Sequence, residues 1–229
     1  MAVLAVIVLL LSRIFAGASQ AWALGTRQVD NAASGRASMD FMTRELAGLL
    51  ADDLLTFRVW TGSESTLGAA SDRIAFVSLT QIAENRGSGW YRDVQQIYYF
   101  LTNQVAGQER FYLCRTVTEN ETSSYFDCYQ STNWWSDFNV SAAAHAPLAE
   151  NVRQFRIFVF DTNEVYRANY NSASNGPPAY MDLYLELLGE ADATRAADMP
   201  AGAARDDFVL RRAHRFVKRI HFGNQLGGT

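Results

Sequence analysis

The first 55 residues constrain this chain more than any other stretch. Met1–Leu11 is unbroken apolar sequence, and Arg13 is the only charged residue before Arg27. Further along, Met39, Met42, Leu46, Leu49, Leu50 and Leu54 recur at intervals of three and four, with Asp40, Arg44, Glu45, Asp52 and Asp53 set to the other side. Apolar residues at that spacing make one face of a helix. No proline interrupts the stretch. It predicts a single helix through Leu55, greasy at the front and amphipathic behind, about 80 Å long at ~1.5 Å per residue. A helix of that kind joins a membrane or a filament to a soluble head.

A membrane span needs about 20 mostly apolar residues. Ile14–Leu24 extends the first apolar run with small and apolar residues, and Trp22 suits an interface. Arg13 has to snorkel or pair in such a span. The rival is a signal peptide, with Ala-Gly-Ala at 16–18 or Ala-Trp-Ala at 21–23 as the cleavage site. No Lys or Arg precedes the apolar run, which counts against it.

The segment MAVLAVIVLLLSRIF resembles the N-terminal helix of type IV pilins and type II secretion pseudopilins, entered several residues late. That family opens on a basic leader, a glycine and Phe-Thr-Leu-x-Glu. Neither leader nor opening is within this sequence, and an in-frame copy just upstream is expected. The stretch Gly35–Leu46, followed by Leu49 and Leu50, is similar to the helix end of J-type minor pseudopilins. The likeness is greatest to the pilin-like family called Verru_Chthon cassette protein C.

The resemblance implies an α+β fold: a long N-terminal helix, apolar half then amphipathic half, packed on an antiparallel β-sheet head. Residues 1–26 would be the transmembrane or filament-core half, and 27–229 a single periplasmic or extracellular head. Val3, Leu4, Val6, Ile7, Leu10, Leu11, Ile14 and Phe15 would pack in the membrane or filament core. Met39, Met42, Leu46, Leu49, Leu50 and Leu54 would pack helix on head. The implied role is a non-enzymatic minor subunit of a pilus or pseudopilus. It would sit in the bacterial inner membrane before assembly or in the finished filament. Its partners would be other pilin-like subunits, an assembly platform and a prepilin peptidase. The alternatives are a membrane-anchored or secreted binding protein using an aromatic loop, and a secreted enzyme with a signal peptide.

Composition suits one domain beyond the helix, about 170 residues. Apolar residues make up 48% of the chain and aromatics 13%, a mix that favours sheet. The net charge of −4 gives no general reason to expect nucleic acid. Strands are predicted at Phe57–Trp60, Arg73–Thr80, Val94–Leu101, Arg110–Val117, Val152–Phe160, Tyr180–Leu188 and Phe216–Phe222. The fourth pairs with the third as a hairpin, and the last three form a meander. Gln130–Ala146 reads as irregular, and Ala-rich Glu190–Asp206 as a mobile loop.

Chemistry-bearing patterns are sparse. His145, His214 and His221 lack metal-ligand spacing, and no Gly-x-Ser-x-Gly, P-loop or dinucleotide fingerprint occurs. No cofactor, metal site or enzymatic activity is expected. Cys114 and Cys128 read as a short-range disulfide in an exported chain, or as two reduced buried cysteines in a cytosolic one. Asp52-Asp53 and Asp161–Glu164 offer oxygens, but an acidic helix end and a turn explain them. Arg211, Arg212, Arg215, Lys218 and Arg219 are either an anionic docking patch or the charges that guard an edge strand. Trp134-Trp135, with Tyr125, Phe126, Tyr129 and Phe138, are either a contact surface or core filling beneath a loop. Asn120 and Asn139 head glycosylation-type triplets that matter only in a eukaryotic secretory host.

Overall fold

The computed structural model describes residues 2–50, 55–62, 71–79, 94–103, 111–118, 134–137 and 146–222. The helix α1 runs Ala2–Ala47. The strands are β1 (Leu49–Leu50), β2 (Arg58–Trp60), β3 (Arg73–Leu79), β4 (Val94–Asn103), β5 (Phe111–Thr118), β6 (Ala146–Phe160), β7 (Tyr166–Arg167), β8 (Tyr180–Leu187) and β9 (His214–His221). Three short helices are α2 (Ser172–Asn175), α3 (Glu190–Asp198) and α4 (Ala203–Arg212), and a 3-10 turn covers Trp134–Asp137.

All the strands join one nine-stranded sheet, in the order β1-β3-β4-β5-β6-β8-β9, with β2 on β3 and β7 on β6. Every strand pair is antiparallel. The predicted hairpin is β4–β5, registered from Gln96↔Thr118 to Asn103↔Phe111. The predicted meander is β6–β8–β9.

The expected fold class is corrected. The body is predominantly antiparallel sheet with short helices around it, rather than a sheet head built on a long membrane-entering helix. Among the described residues no helix is long and apolar enough to cross a membrane. The sheet uses only the last part of α1: Gly35, Ser38, Met39, Met42, Glu45 and Leu46 are buried, whereas every residue from Leu11 to Ser19 is exposed.

The helix also ends earlier than its periodicity predicts. Leu49 and Leu50 belong to β1, paired with Ser78 and Val77. Gly48 explains the break. A Cβ there would lie 2.4 Å from the Leu79 carbonyl oxygen and 2.7 Å from Ser78 Oγ, so only glycine lets the chain close on β3. The Gly48 carbonyl then accepts the Leu79 N–H at 2.9 Å.

One face of the sheet carries the main core. Met39, Met42 and Leu46 of α1 meet Ile74, Phe76, Ile97, Tyr99, Phe155, Ile157, Met181, Leu183 and Leu185 there. The opposite face is covered over β3–β5 by a second cluster that includes Ala75, Val77, Tyr98, Phe100, Trp134 and Trp135. β3 is therefore buried on both sides, and its continuous apolar run is the sequence mark of that. On β6–β8–β9 the second face carries partly exposed charged and aromatic side chains, so Tyr180–Leu185 alternates in burial as predicted, while Glu186 is buried as well.

Two further expectations change. The Glu190–Asp206 stretch is not a loop but contains α3 and the start of α4. Ala193, Ala196 and Val209 bury against Leu188, which makes a small cluster that short alanine helices can supply. β6 begins at Ala146, not Val152, and its register against β5 shifts twice. Asn151, at φ 54, lies within the first of these shifts, between Val152 and Ala149; asparagine is among the few residues that enter this region readily. Residues 63–70, 80–93, 104–110, 119–133 and 138–145, which hold the expected turn Asn85–Gly89 and most of the stretch Gln130–Ala146 expected to be irregular, lie outside the described residues.

Candidate functional site

α1 is gripped at one end and free along the rest. Gly35 sits against β9 so closely that a Cβ would be 2.3 Å from the Phe216 ring. Ser38 Oγ donates to the Leu148 carbonyl at 2.9 Å, and Lys218 Nζ reaches Asp40 at 3.4 Å. Near the helix end, Glu45 turns inward. Its carboxylate accepts from the Tyr99 hydroxyl and from Arg115, whose Nε lies 3.0 Å away. Arg115 also covers the Phe41 ring at 5.3 Å. Burial, then Glu45, pushes the Tyr99 hydroxyl well above its ordinary value. The sequence sets Glu45 on the solvent side of the helix; the structure buries it to 3% exposure between two strands. The one signal for it is Arg115, the single cation within β5 (FYLCRTVT).

Upstream of that grip, α1 presents apolar side chains outward. Ile7, Leu10, Leu11, Ile14 and Phe15 are 51–78% exposed, Trp22 is 80% exposed and Val29 is 66% exposed. Among the described residues nothing lies within 4 Å of where a Cβ on Gly17 or Gly25 would stand. Burying a large aliphatic or aromatic side chain stabilises by roughly 1.5–3 kcal/mol, so this row leaves on the order of 10 kcal/mol unrealised. Of the residues expected to pack the membrane or filament core, Ile7, Leu10, Leu11, Ile14 and Phe15 thus face outward. The side chains of Val3, Leu4 and Val6 lie outside the described residues. Of those expected to pack helix on head, Met39, Met42, Leu46 and Leu49 are buried and Leu50 is half-buried on the second face; Leu54 lies outside the described residues.

The basic cluster is largely matched by the chain's own acids. Arg215 and Arg153 share Glu186, at 2.7 and 2.6 Å. Arg219 makes a two-pronged pair with Asp182, both contacts at 2.7 Å, and lies 4.3 Å over the Tyr180 ring. Arg211 pairs with Asp207 at 2.7 Å. These contacts favour the edge-strand reading, because an anionic partner would have to displace them. His221 adds its ring to a row with Tyr180, Phe160 and Tyr166, one ring from each of four neighbouring strands.

Trp134 and Trp135 are core, at 2% and 9% exposure, with the Trp134 indole N–H on the Thr56 carbonyl at 3.2 Å. Tyr125, Phe126, Tyr129, Phe138, His145, Asn120 and Asn139 lie outside the described residues. Cys114 is a free, buried cysteine whose thiol burial pushes up; Cys128, its expected partner, lies outside the described residues. Asp161 spends its carboxylate on its own turn. It accepts from the Asn163 and Val165 N–H groups and from Arg167 Nε at 2.9–3.0 Å. Asp52 and Asp53 lie outside the described residues. Among the described residues no group of three His, Cys, Asp or Glu side chains is placed to hold a metal ion.

Compared with protein-family models, curated protein sequences and solved structures, the chain matches none.

Proposed function

We propose that this chain is a non-enzymatic assembly subunit of the pilin-like or pseudopilin kind, which joins its neighbours through the free part of α1. The observation that carries the reading is the outward row Ile7, Leu10, Leu11, Ile14, Phe15, Trp22 and Val29 on a helix whose other end is locked to the sheet. Apolar surface of this extent is uncommon on an isolated molecule and marks a contact with protein or lipid. Helix-to-helix packing satisfies it without demanding a full span, and the small residues Ala16, Gly17 and Ala18 permit close approach. Residence in an inner membrane before assembly, and service by a prepilin peptidase and an assembly platform, belong to this proposal.

A binding protein working through the Trp134–Trp135 loop is less well supported, since both rings are spent on the core. Two experiments test the assembly reading. Sedimentation of the purified full chain should give oligomers or detergent-bound species. Ile14→Glu should abolish them while leaving the thermal midpoint of the head unchanged, because Ile14 is 67% exposed. A full chain that sediments as a monomer without detergent refutes the reading. Sequencing of the native N-terminus adds a second check, with prepilin-type processing and N-methylation as the expected result.

A further inference from the structure

Thr56, Arg58 and Trp60 occupy alternate positions entering and along β2, which sets them to one side of the chain. That side is the second face of the sheet, where Trp60 meets Trp135 with ring centres 5.8 Å apart. The Arg58 guanidinium carbon lies 5.1 Å from the Trp60 ring and 5.3 Å from Trp135, so it is held between two indoles. Arg73 stands directly opposite Trp60 in the β2–β3 register and lies 5.7 Å from the same ring. Two guanidinium groups therefore flank one indole.

Elsewhere on the sheet Arg115, Arg153, Arg156, Arg215 and Arg219 each face a glutamate or aspartate. Arg58 and Arg73 face none among the described residues. In addition, Arg58 Nε and Thr56 Oγ1 are buried without a hydrogen-bond partner, and Thr56 is only 4% exposed. Unpaired buried donors are rare in native proteins and call for an explanation. Arg73 is exposed and Arg58 half-buried, so each side chain keeps part of its surface in solvent.

We propose that Arg58 and Arg73, backed by Trp60 and Trp135, form a binding site for a carboxylate. A guanidinium presents parallel N–H donors that match a planar carboxylate, and a pair of them would neutralise it from two sides. The indole faces fix the Arg58 plane and exclude water beneath it, which strengthens the ion contact. The carboxylate is an acidic side chain of a protein partner or a free organic acid. This site lies apart from the α1 row and does not depend on the assembly reading.

The test uses the full chain at low ionic strength, with tryptophan fluorescence and thermal shift as readouts. The probes are acetate and a blocked Gly-Glu-Gly peptide, with chloride at matched ionic strength as the control. Saturable binding is expected, weakened about tenfold or more in Arg58→Gln and in Arg73→Gln. Arg58→Lys, which keeps the charge but loses the fork, should also bind more weakly. Tighter saturation by the peptide identifies a protein partner, and equal saturation by acetate identifies a free acid. The proposal is overturned if chloride reproduces the response, or if an Arg73→Gln protein with the wild-type thermal midpoint binds as the wild type does.

Discussion

Glu45 should be the residue on which the grip of α1 most depends. It is 3% exposed and takes three donor contacts, from the Tyr99 hydroxyl and from Nε and Nη2 of Arg115. Removing one member of a buried ion pair costs about 3–5 kcal/mol, because the other charge is stranded. The Arg115 side chain retains 23% exposure, so water recovers part of that loss. Glu45→Ala should therefore cost ~3–4 kcal/mol, a large share of the ~5–15 kcal/mol that holds a typical domain. Tyr99→Phe removes one donor only and should cost ~1 kcal/mol. Urea unfolding of Glu45→Ala, Arg115→Ala and the double variant gives the coupling, which should be ~1.5–3 kcal/mol. Hydrogen exchange across Gly35–Leu46 should rise in Glu45→Ala before the sheet opens. A coupling under ~0.5 kcal/mol, or unchanged exchange on the helix, would refute the view that this contact pins α1.

Three other outcomes follow from the packing. Tyr98, Tyr99, Tyr170 and Tyr184 all have hydroxyls raised, first by burial, and Tyr170 is pushed up to about 12. Their folded forms hold the proton longer than the unfolded chain does. The stability this gives is intact below about pH 10 and lost as pH climbs from there towards about 12, roughly 2–3 kcal/mol for Tyr170 alone. Urea midpoints measured from pH 8 to 11 should fall steeply above 10, less so in Tyr170→Phe, and a flat profile contradicts the burial. Gly48→Ala should cost about 1–3 kcal/mol by forcing the α1–β1 turn away from Leu79 and Ser78, read as a lowered thermal midpoint. Trp134→Ala should cost about 3–5 kcal/mol; a near-neutral effect would show that the turn is not part of the second core.

The strands were legible because their periodicity is local. Arg73–Leu79 announces itself by Ile74, Phe76 and Val77 and Tyr180–Leu187 by its alternation, and the β4–β5 and β6–β8–β9 neighbours follow from connection order. What the sequence concealed depends on contacts between distant residues. Leu49 and Leu50 continue the helical spacing of Met39, Met42 and Leu46, yet Gly48 meets β3 at a distance that only the folded chain defines. Glu45 and Glu186 look like solvent-side charges on alternating or helical patterns. Each is buried because arginines from other strands come to it, Arg115 for the first and Arg153 with Arg215 for the second. The alanines of Glu190–Asp198 read as loop, because two short helices gain their stability from Leu188 and from one another rather than from propensity. The Arg58–Trp60–Arg73 group was invisible for the same reason: Trp135 arrives from a remote turn.

The geometry of α1 also limits what can cover its free end. Gly35 and Met42 on one line, with Met39 and Leu46 on the next, are the residues the sheet occupies. Ile7 and Ile14 stand at multiples of seven from the first pair, and Leu11 from the second. In a straight α-helix a seven-residue line drifts by about 20° per repeat, so it turns by roughly 80° between Ile7 and Gly35. The protein's own sheet buries that line only from Gly35 onward. A helical partner can follow it by winding left-handed around α1, since the drift is what such a supercoil absorbs. A planar lipid surface has no means of tracking a turning line, although it can take up a helix that is apolar all round. The exposed row therefore favours helices as neighbours, and cysteine pairs placed at Ile7, Leu11 and Ile14 should cross-link between copies in a seven-residue pattern. Cross-links with no such spacing would remove the argument for a wound helical core.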